Sequence, residues 1–214
     1  MRITLLVDNP KSWYLQYADC LLHKLQERGH TTKLVQVAED IPIGDIALFL
    51  SCEKIISREI RDRNKYNLVV HSSRLPQGKG WSPLTHQIIA GNNIIWNTLF
   101  EAVDKVDAGV IYAQEPMEFK GTELLPELHA IQGAKIGQMI LAFVDNPTEG
   151  KPQVGKDSFL PKRTPKHSEL SMDKSLAEQF DLLRVVDNEQ YPAWFKHRGR
   201  KYIIYITPDD DSVL

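Results

Sequence analysis

The chain has only two cysteines, Cys20 and Cys52, in 214 residues. They have no metal-ligand spacing, so no metal centre is expected, and so few thiols point to a reduced, cytoplasmic setting rather than a disulfide-built fold. Long apolar runs are also lacking. None approaches the ~18 residues needed to span a bilayer, and the first residues enter a strand pattern without the features of a signal peptide, so no membrane association is expected. Charge of one sign is scarce too. The formal net charge is −2, which argues against the broad basic face of a phosphate-backbone binder. Nucleic acid is therefore not the expected partner, whereas a small anion held by a few lysines and arginines is compatible. What is present, 42% hydrophobic and 25% charged residues, describes a folded globular chain. Its length allows one good core and a small appendage.

Apolar patterning gives the organisation. Residues 2–7 read as a buried strand, residues 13–28 as a helix stopped at Gly29, and residues 32–37, 45–50 and 67–70 as further strands, with a short helix over 54–62. Near-continuous apolar strands alternating with helices indicate an α/β fold, Rossmann-like, with a mostly parallel sheet covered on both faces. Residues 83–90 form a helix with proline at its start, residues 94–100 and 109–114 are strands, and residues 124–144 are a long amphipathic helix. Composition changes at Asp145. Four prolines and two glycines between 145 and 166 make a surface loop. A helix over 175–184, a strand over 201–207 and a solvated tail, Asp209-Asp210-Asp211, complete the chain. The expected division is a domain over 1–145 and a small α+β subdomain over 146–214.

Chemistry is expected at His71 and Asp107. His71 ends a buried strand, where open α/β sheets place their ligands. Asp107 follows on a later loop. An imidazole can take a proton near neutral pH, and a nearby carboxylate orients it and stabilises its charged form. Between them lies a loop stiffened by Pro76 and Pro83, with Gly78 and Gly80 permitting close backbone approach.

The ordered set His71, Ser73, Leu75, Pro76, Gly80 and Pro83, then Gly91 and Thr98, then Asp107, Gly109 and Ile111, resembles the folate-dependent formyltransferases over residues 46–115. The resemblance implies N10-formyltetrahydrofolate as donor, an amine as acceptor, His71 and Asp107 as catalytic groups, and no metal. It places the pterin against the backbone of Cys52, Glu53, Lys54 and Ile55, with Val103, Asp104 and Val106 forming the opposite wall. One position departs from the family: its asparagine two residues before the histidine is Val69 here. Losing an oxyanion donor can cost ~3 kcal/mol of transition-state stabilisation. Three readings are compatible with that change. Asn67, on the same strand face, supplies the donor; protonated His71 acts alone; or the protein is a non-catalytic binding relative.

The acceptor is read from the same resemblance. The run Leu75 to Pro83 is similar to bacterial enzymes acting on nucleotide-linked amino-deoxy sugars, including short members of pseudaminic-acid-type surface-glycan pathways. Phosphoribosylglycinamide formyltransferases are about this length, but the family's glycine-rich loop after the first strand is here Asp8-Asn9-Pro10-Lys11-Ser12. The transfer-RNA enzymes add a larger basic C-terminal domain. Candidate substrate contacts are Asn9, Ser12, Lys79, Trp81 and Arg163, with Lys11 and Lys162 beside them. Tyr191, Trp194 and Phe195 are a candidate homodimer contact.

Overall fold

The computed structural model describes residues 1–209; of the acidic tail, Asp210 and Asp211 lie outside the described residues. Strand β1 (Arg2–Leu6), helix α1 (Leu15–Glu27), β2 (Thr31–Val35) and β3 (Gly44–Phe49) are followed by a single turn, α2 (Arg58–Arg61), and by β4 (Asn64–His71). Then come the two-residue β5 (Lys79–Gly80), α3 (Pro83–Ile89), β6 (Ile94–Glu101), β7 (Ile111–Glu118) and α4 (Leu125–Asp145). Six strands form one sheet in the order β2-β1-β3-β4-β6-β7. The first four run parallel, while β6 is antiparallel to β4 and β7 is antiparallel to β6. This is the expected mostly parallel, Rossmann-like α/β sheet.

Strand alternation divides the core. Leu5, Ile46, Leu48 and Leu68 face α1 and α4. Leu6, Ala47 and Phe49 face the opposite way and pack on Ile56 and Ile60. Helix α4 starts cleanly because the Glu127 carboxylate accepts the Leu124 N–H at 2.9 Å, which satisfies a donor the helix leaves orphaned.

Three expectations shift. The helix expected over 54–62 contracts to α2 because the Asp8 carboxylate takes the N–H groups of Glu53 and Lys54 at 2.9–3.0 Å, holding the chain open before it. The strand expected at Gly109 starts at Ile111, because Gly109 turns tightly beneath the Glu101 carbonyl. The helix expected over 175–184 divides into a 3-10 turn (Ala177–Gln179) and α5 (Phe180–Arg184), with the Gln179 amide wrapped onto Ser171, Lys174 and Ser175.

After α4 the chain crosses back over the sheet edge. Lys151 bridges Ile111, and β8 (Phe159–Leu160) pairs in parallel with β5. Beyond α5, β9 (Ala193–His197) and β10 (Arg200–Ile204) form a hairpin whose turn residues Arg198 and Gly199 both have positive φ, the geometry that follows strand twist. Trp194 is a core residue rather than an open contact: it is buried, and its indole N–H donates to the Pro165 carbonyl at 2.8 Å. Arg184 ties this region down. Fully buried, it donates to the Glu123 carbonyl and carboxylate, Asn93 and Asp181. Burial alone would raise the Glu123 carboxyl. The backbone N–H groups of Lys120 and Gly121 and the Arg184 guanidinium outweigh it and hold Glu123 below the usual carboxylate range, as a buried charge requires.

Candidate active site

His71 is the last residue of β4, and its side chain shares a strand face with Val69. Its Nε2 lies 3.9 Å from Asp107 Oδ2 and 2.8 Å from the Gly78 carbonyl. A carbonyl only accepts, so Nε2 carries a hydrogen, and in the neutral ring the lone pair is on Nδ1. Nδ1 has no partner among the described residues and is not sealed from solvent. Asp107 sits in the loop between β6 and β7 with φ +50°. That left-handed conformation is costly for a side-chain-bearing residue, so its surroundings must hold it. Oδ2 accepts the Gly80 N–H at 2.8 Å, and the carbonyls of Asp107 and Gly109 both accept from the Gln153 amide at 2.9 Å. Arg61 secures the start of the loop by donating to the Ala102 carbonyl and pairing with Asp104.

Both groups line a cleft of about 900 Å³ that passes over the sheet edge. On the Val69 face its wall is Phe49, residues 51–56, Ala102, Val103 and Val106. On the α4 face it is Asn9, Ser12, Trp13, His129, Gln132, Arg163 and Tyr191, with Trp81 nearby. The imidazole therefore stands between the two sides, or lobes, of one continuous cleft. The first lobe mixes apolar Phe49, Ile55, Ala102, Val103 and Val106 with Ser51, Glu53 and Lys54, and the second is polar and aromatic.

Cys52, Glu53, Lys54, Ile55, Val103 and Val106 all line the first lobe. The Glu53 and Lys54 N–H groups are already given to Asp8, so neither is free for a ligand edge. The Cys52 thiol is pushed up to about 12 by burial, then by the Asp8 charge. It stays protonated and is a wall residue. Asp104 does not line the cleft; its carboxylate is turned onto Arg61.

Asn9, Ser12, Trp81 and Arg163 line the second lobe. The Asn9 amide is spent on Glu53 and on the Lys11 N–H, at 2.8 and 2.9 Å. Trp81 carries the Lys162 ammonium 4.1 Å from its ring centre. Lys79 requires a correction. It is 2% exposed and paired with Asp157 at 2.9 Å, pointing into the crossing loop and away from the cleft. Asn67 is likewise unavailable as an oxyanion donor, because its amide N–H groups go to the carbonyls of Arg61 and Asn64.

Sequence reasoning missed Trp13, His129, Gln132, Tyr191 and Gln153. A signal existed for two of them. Leu125, His129, Gln132 and Ile136 recur at helical spacing and line the cleft together, so His129 and Gln132 are polar interruptions of an apolar stripe. Gln132 donates to Ser72 Oγ at 2.7 Å, and Ser72 donates to Asn97. His129 stacks on Trp13 at 4.2 Å. Burial pushes His129 down to about 4, against the pull of Asp187. In an NMR titration its ring is therefore expected to stay neutral to about pH 5, well below the ordinary midpoint of about 6.5. The unfolded chain binds this proton at the higher pH, so the stability gained is complete above about pH 6.5 and declines as pH falls toward 4. A midpoint near 6.5 would contradict the buried stack. Among the described residues, no group of three or more acidic, histidine or cysteine side chains could hold a metal, and no helix is long and apolar enough to cross a membrane.

No family model matches the chain. It is 28% identical over 142 residues, 64% of its length, to the methionyl-tRNA formyltransferase of Lactobacillus acidophilus. It spans about half the length of the curated relatives it matches. Among solved structures, the methionyl-tRNA formyltransferase of Clostridium thermocellum superposes with a TM-score of 0.79 at 22% identity, covering 95% of this chain and 97% of that one. HypX from Aquifex aeolicus in complex with tetrahydrofolic acid gives 0.77 at 18% identity, covering 96% of this chain and 37% of that one. A sugar N-formyltransferase from a Shewanella species gives 0.68 at 15% identity, covering 98% of both chains. The chain thus carries the formyltransferase fold, and over about two thirds of its length it is similar in sequence to methionyl-tRNA formyltransferases.

Proposed function

We propose that the cleft transfers a formyl group from N10-formyltetrahydrofolate to the amine of a nucleotide-linked amino-deoxy sugar. The observation that carries the reading is the imidazole–carboxylate pair, 3.9 Å apart, at the meeting point of two lobes. The pterin occupies the lobe of residues 51–56, Val103 and Val106, and the acceptor approaches from the α4 side. The amine nitrogen attacks the formyl carbon. The new C–N bond forms first and the carbonyl oxygen becomes an oxyanion; the bond to N10 then breaks, the carbonyl re-forms and the amine proton ends on N10. With Nε2–H held by Gly78, the protonated ring offers Nδ1–H to the developing oxyanion, and Asp107 stabilises its charge. Val69 donates nothing and Asn67 is spent, so the oxyanion depends on His71.

Trp81 with Lys162, and Arg163 beside them, suit a flat base and a diphosphate. The reading also rests on the likeness of residues 75–83 to the sugar enzymes. A second acceptor, methionyl-tRNA, is supported by the curated relatives and by the Clostridium structure. The test is incubation with N10-formyltetrahydrofolate and amino-sugar nucleotides, methionyl-tRNA or glycinamide ribonucleotide, with mass spectrometry of the products. Formylated sugar nucleotide supports the proposal. Formylation of another acceptor alone moves the substrate, and folate binding without any product indicates a non-catalytic binding protein.

A further inference from the structure

We propose that residues 153–160, on the loop that crosses back after α4, are a positioning element for the His71–Asp107 pair, with Gln153 and Ser158 as its working residues. The proposal rests on the formyl-transfer reading above. Neither side chain of the pair is held by its own segment alone. His71 is oriented by the Gly78 carbonyl, and Gly78 is a loop residue with φ +70°. Ser158 grips that loop from three sides. Its hydroxyl accepts the Gly78 N–H at 2.8 Å, its carbonyl accepts the Lys79 N–H at 2.9 Å, and its own N–H reaches the Pro76 carbonyl at 3.4 Å.

Five residues earlier in the same segment, the Gln153 amide spans the Asp107 and Gly109 carbonyls. Only the nitrogen end of that amide can do this, because carbonyls repel the oxygen end. Accordingly Gln153 Oε1 is left buried without a partner. An unsatisfied buried acceptor is costly, so the two donated bonds must outweigh it. Asp157 completes the brace by pairing with Lys79 from the histidine loop at 2.9 Å and Lys105 from the aspartate loop at 3.6 Å. Beyond it, Leu160 accepts the Trp81 N–H at 3.1 Å. One short stretch thus touches both loops, and its removal would let the two side chains drift independently. Residues that do this act through His71 and Asp107 and contact no substrate.

The test compares the full chain with Gln153→Leu, which fills similar space without donors, and with the milder Ser158→Ala. The measurements are kcat and KM for the formyl donor, tetrahydrofolate affinity, thermal stability, and the crystal structure of each variant. In Gln153→Leu, kcat is expected to fall about tenfold, since small misplacements of reacting groups are costly. Donor KM and folate affinity should change less than about threefold, the pattern of a lost transition-state contact. The crystals should show the Asp107 carboxylate displaced from the imidazole. A kcat within about twofold of the parent overturns the proposal. So does a loss in which folate affinity and thermal stability fall together while the pair keeps its geometry. If the parent chain formylates no acceptor, the functional reading fails by itself, and the pair separation in the Gln153→Leu crystal still decides the positioning claim.

Discussion

Replacing His71 by alanine is expected to lower formyl transfer by about three orders of magnitude, the upper range for losing a transition-state hydrogen-bond donor. The effect should exceed that of any other single change in the cleft. Asn67, the other donor candidate on this strand, is committed to the carbonyls of Arg61 and Asn64, and Val69 offers no hydrogen bond. The fold should survive. His71 ends its strand, and its ring makes one hydrogen bond, to Gly78, so the stability lost should be about 1 kcal/mol. Steady-state rates with thermal melts of both proteins check this. Turnover unchanged to within a few-fold would remove His71 from the mechanism. Asp107 then becomes a structural residue holding the Gly80 N–H.

Gly109→Ala is expected to be the most damaging small substitution in the chain. Gly109 needs no left-handed conformation; it needs space. An added Cβ would fall inside the shell of the Glu101 carbonyl oxygen and crowd the Glu101 Cβ. Those obstacles belong to the end of β6 and cannot rotate away like a flexible side chain. The neighbouring Gly109 carbonyl is also one of the two that Gln153 holds. Either the loop moves, releasing Asp107, or the strand end moves with it. Overpacking against backbone costs about 3 kcal/mol at the upper end of ordinary cases. In a chain of this size that lowers Tm by roughly 6–12 °C. Activity should fall with stability, since Asp107 shares the loop. Differential scanning calorimetry checks the stability, and an unchanged Tm with unchanged turnover would contradict the packing described here.

The sheet was legible because its strands are simple. Ile46, Ala47, Leu48 and Phe49 are all buried, and a run apolar on both faces has few alternatives to a central strand. The reversal at β6 was not legible. Strand direction depends on how the chain returns, and the route from α3 leaves no mark in composition. Strand β9 was missed because Lys196 and His197 end it on polar, exposed positions. Its pairing with β10 comes from the Arg198-Gly199 turn.

At the site, His71 and Asp107 were readable because they belong to an ordered set of loop residues, and the chain brings them together in one cleft. The brace was not readable. Gln153 and Asp107 are separated by 46 positions and Ser158 and Gly78 by 80, and a single glutamine or serine in a proline-rich loop has no distinctive spacing. Lys79 shows the reverse error. A lysine between two glycines reads as an open anion contact, yet Asp157 draws it inward, and only the tertiary fold places Asp157 there.

A structure of the chain with tetrahydrofolate tests the central claim most directly. The account predicts the pterin between residues 52–55 and the Val103–Val106 wall, with backbone groups of that segment meeting its polar edge and N10 directed toward His71 Nδ1. Folate bound on another surface, or a cleft that stays empty at saturating folate while the His71–Asp107 pair remains intact, would contradict it.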